Sequence, residues 1–145
     1  MAIVHSGALS SLHRDYKDLA EFLYIYVIEA HPRDGWALGA HYSSHDSHKN
    51  LDERIAAARR LVAADTKFQT FTTDTEDLSK VRMVVDTMGN VFAETYAGQP
   101  DRVFVIEDNK MAYIGETIEE QCENPYKLMT DHLKEWLSGR FPPKK

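Results

Sequence analysis

The densest apolar run in the chain is Phe22-Leu23-Tyr24-Ile25-Tyr26-Val27-Ile28, which ends abruptly at Glu29-Ala30-His31-Pro32. A short unbroken apolar run of this kind predicts a strand buried on both faces, the habit of a parallel sheet covered by helices. Upstream, Leu9, Leu12, Tyr16 and Leu19 recur at helical spacing and predict a helix over about Ala8–Ala20. Ahead of it Ala2-Ile3-Val4-His5 reads as a brief strand, with Ser6-Gly7 as a turn.

Downstream, Pro32 to Lys49 is polar, rich in histidine and serine, and reads as a long loop. Asn50 and Glu53 match a helix N-cap with its reciprocal acid. Leu51, Ile55, Ala58, Leu61 and Val62 then make the apolar stripe of a helix ending near Ala64. Asp65 to Lys80 is threonine-rich loop with a short strand around Gln69–Thr72, and Val81–Val85 is a second apolar strand. Gly89–Ala97 reads as a short helix carrying Val91, Phe92 and Tyr96 inward. After the break at Gln99-Pro100-Asp101 comes a strand over Val103–Ile106, and Asp108-Asn109 predicts a hairpin turn into Met111–Ile114. Asn124 as cap, Pro125 in the first turn and Gly139 just past the end punctuate a last helix that buries Met129, Leu133, Trp136 and Leu137. Alternation first and an antiparallel hairpin late predict an α/β class with a mixed sheet, in one domain over residues 1–145.

Composition narrows the partners. With 43% hydrophobic and 28% charged residues the chain is an ordinary globular protein, and its net charge of −6 argues against nucleic acid or an anionic membrane surface. No apolar run approaches the ~20 residues of a membrane span. Met1 to Ser6 lacks the basic and apolar regions of a signal peptide. The single cysteine, Cys122, excludes an intramolecular disulfide and a CxxC pair. A cytoplasmic protein is expected.

In open α/β sheets ligands sit beyond the carboxyl ends of the strands. Glu29 and His31 fall at such an end, two residues apart and so on one side of an extended chain. They read either as an acid/base pair or as a capped strand end, and spacing alone does not choose. His31, His41, His45 and His48 lie close in sequence, but at no zinc-ligand spacing and without cysteine, so no metal is expected. Cys122 lies beside Glu119, Glu120 and Glu123, acids that raise a thiol pKa, and reads as a passive thiol.

Tyr26-Val27-Ile28-Glu29-Ala30-His31-Pro32-Arg33-Asp34-Gly35-Trp36 resembles the hallmark segment of the iodothyronine deiodinases, thioredoxin-fold relatives of the peroxiredoxins. His48 to Ile55, Val84 to Met88 and Pro100 to Ile106 resemble further segments of that family in the same order. The resemblance implies a thioredoxin-like mixed sheet flanked by helices. It implies Tyr26, Glu29 and His48 as a proton relay, and His31 and Arg102 as residues that hold the two ends of the substrate. It also puts Pro100 where the thioredoxin superfamily has its cis-proline.

The family's reactive selenocysteine or cysteine lies between the first strand and first helix, and neither residue stands before Leu9 here. Either Ala2–His5 is that strand with its loop cut to Ser6-Gly7-Ala8, or the chain starts inside the helix and lacks both strand and nucleophile; we expect the shortened loop, or a strand supplied by a partner chain. Ser6 offers no redox cycle and cannot stand in for a selenolate. The expectation is a deiodinase-like protein without the redox nucleophile and without a cofactor. It would bind a small aromatic or phenolic ligand between Arg102, His31 and His48. The alternatives are a reductive dehalogenase using Cys122 of its own or a neighbouring chain, non-redox acid/base chemistry at Glu29 and His31, or a homo-oligomeric interaction module built on an exposed sheet edge.

Overall fold

The computed structural model describes residues 2–40, 43, 45–98, 101–116 and 129–141, with side chains from Ser6 onward. In chain order the elements are α1 (Ala2–Tyr16), β1 (Leu23–Tyr26), α2 (Leu51–Ala64), β2 (Phe71–Thr72), β3 (Val81–Val85), α3 (Val91–Tyr96), β4 (Phe104–Glu107), β5 (Lys110–Ile114) and α4 (Met129–Arg140). They fall into two compact units, Met1–Tyr96 and Ala97–Lys145. Parallel and antiparallel pairings both occur, so the α/β class holds. No helix among the described residues is long and apolar enough to cross a membrane.

The N-terminus departs from the expected strand and turn, because residues 2–5 belong to α1. No proline interrupts this segment, and a helix once nucleated extends by one hydrogen bond per residue. Gly7 is carried inside it for a packing reason: a Cβ there would come within 2.8 Å of the Phe68 ring tip. Ser6 is buried, and its carbonyl accepts the Thr70 hydroxyl at 3.1 Å. The helix stops at Tyr16, whose carbonyl takes the N–H groups of Leu19 and Ala20, and Leu19 is exposed rather than on the buried stripe.

In the first unit, β3 is the centre of a parallel sheet of order β1-β3-β2. Tyr24 pairs with Met83, Tyr26 with Val85, and Phe71 with Val81. The apolar run from Phe22 to Ile28 is a strand only over Leu23–Tyr26, and it is half-buried, with Leu23 exposed. Its position explains the difference, since among the described residues β1 is an edge with one strand neighbour. The core gathers instead on β3 and β2: Ala58, Phe71, Val81 and Met83 are buried, with Leu9, Phe22, Tyr24, Tyr26, Leu61, Val62 and Val85 against them.

The start of α2 is as the sequence predicts. Asn50 accepts the N–H of Glu53 at 2.9 Å, and the Glu53 carboxylate reaches back to the N–H of Lys49 at 2.8 Å. Its buried face is Arg54, Ala57 and Ala58, while Leu51 is exposed. Arg54 is 2% exposed, and Nη1 donates to the carbonyls of Asp86 (3.2 Å) and Thr87 (2.6 Å) while Nη2 donates to Asn90 Oδ1 (3.0 Å). Asp86, just past β3, accepts the N–H groups of Thr87 and Phe92 on Oδ1 and that of Ala93 on Oδ2, tying down the first turn of α3. That helix turns Ala93 inward and leaves Val91 and Tyr96 exposed, contrary to the expected face.

In the second unit, β4 and β5 pair antiparallel with a bulge between Val105 and Ile106. Asp108 and Asn109 make the turn with φ of 50° and 59°, the left-handed pair that a two-residue hairpin needs. Within α4, Leu133 and Leu137 are buried, Trp136 lies 5.3 Å from Tyr113 between ring centres, and Gly139 falls inside the helix. Asn124 and Pro125 lie outside the described residues, as do Pro100, Cys122 and His41.

Candidate functional site

The site forms where β1 ends. The N–H of Asp86 donates to the carbonyl of Tyr26 at 2.9 Å, and beyond that bond the chain bends away from the sheet. Glu29 and His31 are therefore on a bend and not on an extended strand, and period-two spacing no longer places them on one side. The Tyr26 hydroxyl donates to the Glu29 carboxylate. The same carboxylate oxygen lies 3.7 Å from His48 Nε2, and the Tyr26 and His48 rings are 5.9 Å apart. Three of the residues that the resemblance groups as a relay thus come together.

His48 reaches this position through the neck of the long loop. Arg33 grips Asp46 with two bonds of 2.8 and 3.0 Å, Asp34 accepts the backbone and hydroxyl of Ser47, and Arg33 N–H donates to the His45 carbonyl. The Arg33–Asp46 pair is solvent-exposed, where such a pair adds little to stability, so its importance is positional. On the other side, the Asn50–Glu53 cap fixes Lys49. His48 is held between two anchored ends.

The imidazole of His48 is only 4% exposed, and neither ring nitrogen has a hydrogen-bond partner among the described residues. Burial holds it below its ordinary value of 6.5; the Glu29 charge opposes this, and the Arg54 and Arg60 charges push it down further. The ring is neutral near pH 7 and offers one donor and one acceptor. Burial pushes the Tyr26 hydroxyl well above its ordinary range, and the hydrogen bond and charge of Glu29 push the same way. Tyr26 is therefore a fixed donor to Glu29 and not a base. Both nitrogens are closed to solvent, so a group can exchange a hydrogen bond or a proton with His48 only where the surrounding wall opens to admit it.

The burial of His48 has a consequence for acid stability. Unfolded, the side chain takes a proton near pH 6.5; folded, it does so only at lower pH, so the unfolded state binds more protons as the pH falls below about 6.5. Stability should therefore drop from that point downward, with at most about 1.4 kcal/mol per pH unit from one group. His13, also lowered by burial first and then by Lys17, adds in the same sense. Urea unfolding at pH 7.5 and 5.5 should show a smaller loss in His48→Gln than in wild type. Equal losses would mean that His48 is not held neutral.

His31 does not join this cluster. Its Nδ1 lies 3.2 Å from the Trp36 carbonyl, and its ring meets the exposed Trp36 indole edge-on at 4.8 Å. The Glu29–His31 pairing suggested by their spacing is absent from the described contacts, and Glu29 pairs with Tyr26 and His48 instead. Arg102 belongs to the second unit, where Nε donates to the Gly115 carbonyl at 2.7 Å and the guanidinium lies over Phe104. Among the described residues no three of His, Cys, Asp and Glu converge as metal ligands.

Sequence reasoning missed Arg54, Asp86 and Arg60. Arg54 had a signal: it is a charge on the same helical face as Ala57, Ala58 and Leu61. Asp86, immediately after an apolar strand and shortly before a helix, had a weaker one.

A model of the iodothyronine deiodinase family matches residues 3–140 of the chain. The chain is 33% identical over 141 residues to a type II iodothyronine deiodinase of Fundulus heteroclitus, covering 93% of this chain and 46% of that protein. It is 32% identical over 109 residues to a type I iodothyronine deiodinase of Xenopus laevis (75% and 38% covered). With a thyroxine 5-deiodinase of Gallus gallus it shares 31% over 126 residues (87% and 42%). The chain spans less than half the length of each of these relatives.

Proposed function

Because the chain belongs to the iodothyronine deiodinase family, we propose that the end of β1 and the neck of the 32–47 loop bind a small aromatic or phenolic ligand. The role is to hold that ligand and handle its proton, without a redox nucleophile from these residues. The observation that carries this reading is His48. A buried imidazole whose nitrogens have no hydrogen-bond partner among the described residues costs about 1–3 kcal/mol per unmet group, and a ligand hydroxyl admitted to one nitrogen would remove that share. The neighbouring Tyr26 and Glu29 satisfy each other, so His48 is the group of the three left to meet a ligand.

Reductive dehalogenation needs a group that is oxidised and then reduced again. The one thiol in the sequence, Cys122, lies beside Glu119, Glu120 and Glu123, acids that raise a thiol pKa and lower its reactivity. This favours binding over reduction. His31 enters as a ligand-holding residue through the family resemblance.

Calorimetric titration with thyroxine or a diiodophenol should show saturable binding to the wild type. His48→Ala should weaken it by about tenfold or more, as expected when a polar ligand loses a buried partner. His31→Ala should weaken it as well. Wild-type binding that neither change affects would end the proposal. Iodide released in the presence of a thiol, and lost in Cys122→Ser, would replace it with a reductase.

A further inference from the structure

We propose that Asp34-Gly35 is a modification site, an isoaspartate-forming bond that the neck of the long loop holds shut. It is the one Asp-Gly pair in the sequence, and no Asn-Gly pair occurs. Asp-Gly is the dipeptide most prone to this rearrangement, because glycine has no side chain to shield its nitrogen from the aspartate before it. The fold nevertheless asks for both residues. The N–H of Gly35 donates to the Pro32 carbonyl at 3.2 Å and closes a turn, and a Cβ there would come within 2.9 Å of Pro32 Cγ. Asp34 ties that turn to the far side of the neck through Ser47.

In the rearrangement the Gly35 nitrogen attacks Cγ of Asp34 in its acid form. The carboxyl hydroxyl and the N–H proton leave as water, and a cyclic imide remains. Water then opens the ring. Where it enters at the former main-chain carbonyl, Gly35 stays joined through Cγ, with no net change in atoms and one more carbon in the backbone. The structure withholds what each partner needs. Asp34 Oδ1 accepts the N–H of Ser47 at 2.7 Å and its hydroxyl at 2.9 Å, so the carboxyl group is anchored to residue 47 and not free to swing onto the next nitrogen. Those two bonds also hold its pKa below the usual carboxylate range, which keeps the reactive acid form scarce. The Gly35 N–H is committed to Pro32. Arg33, between them in sequence, grips Asp46 and keeps the two sides of the neck together. Once formed, isoaspartate carries its free carboxylate directly on Cα, where it no longer reaches Ser47 as Asp34 does, so the change does not reverse itself.

The test incubates the protein near neutral pH, folded and in urea, beside a synthetic peptide spanning residues 31–37. Isoaspartate at Asp34 is followed by labelling with an isoaspartyl methyltransferase and by peptide mapping. In urea the chain should match the peptide, and the folded wild type should be slower by about tenfold or more, the effect of holding both reacting groups out of line. Ser47→Ala, which removes the hydroxyl bond, should speed the folded protein several-fold, while Ser47→Thr, which keeps a hydroxyl, should stay near the wild type. A folded wild type that isomerises as fast as the peptide overturns the proposal, and that comparison needs no variant. A Ser47→Ala protein, shown folded by circular dichroism, that remains as slow as the wild type also overturns it. So does a Ser47→Thr protein as fast as Ser47→Ala, because the hydroxyl would then not be what restrains Asp34.

Discussion

Arg54→Met is expected to lower the stability of the protein by roughly 3 kcal/mol, measured by urea unfolding followed by circular dichroism. The guanidinium is a tie between α2 and the turn after β3, buried to 2% exposure and donating to two carbonyls and the Asn90 side chain. Methionine preserves much of the apolar stem, so the loss falls on the three acceptors. Each costs about 1–3 kcal/mol when left without a donor, and water entering the turn recovers part of that. Removing Nε, which has no partner among the described residues, gives a little back. Arg54→Lys should not restore stability, because a single ammonium cannot span acceptors arranged for a fork. A methionine variant within about 0.5 kcal/mol of wild type would show that the tie is not needed.

Asp86→Asn comes next in size, at roughly 2 kcal/mol, since an amide must present N–H to donors that the carboxylate accepted from both sides. The effect should depend on pH in a defined direction. Burial alone would raise the carboxyl above its ordinary 3.8, but the N–H groups of Ala93, Phe92 and Thr87 and the charge of Arg54 together hold it below that value. A group depressed in the folded state contributes stability that is complete above the unfolded pKa and is lost as the pH falls through the folded one. The gap between wild type and Asp86→Asn should therefore be widest above about pH 4 and close as the pH drops further. A gap of constant width down to pH 2 would show that the charge of Asp86 is not what holds α3.

What could be read from the sequence was whatever is decided locally. The Asn50–Glu53 cap, β3 over Val81–Val85 and the Asp108-Asn109 turn each depend on a few adjacent residues, and each lies where it was expected. Residues 2–5 did not: Ile3 and Val4 favour a strand by propensity, but the segment continues into a helix whose packing partners, Phe68 and Thr70, lie some sixty residues away. The same limit applies to the site. The Glu-Ala-His motif lies just past the end of β1, yet Glu29 meets Tyr26 and His48 and not the histidine two residues on. Arg54 could be suspected as a charge in an apolar stripe, but its three acceptors come from a turn that no helical periodicity can point to.

The clamp at the base of the long loop bears on how such a site would be searched for. Since Arg33 grips Asp46 and Asp34 grips Ser47, the separation of Glu29 and His48 is fixed where the loop closes, not by the number of residues in its tip. Residues inserted or deleted around Gly39 would lengthen or shorten the excursion and leave carboxylate and imidazole where they are, at a cost that grows only slowly with loop length. The interval between the two in sequence is a length of rope and not a ruler. A search pattern with a fixed gap would pass over proteins that carry the same pocket.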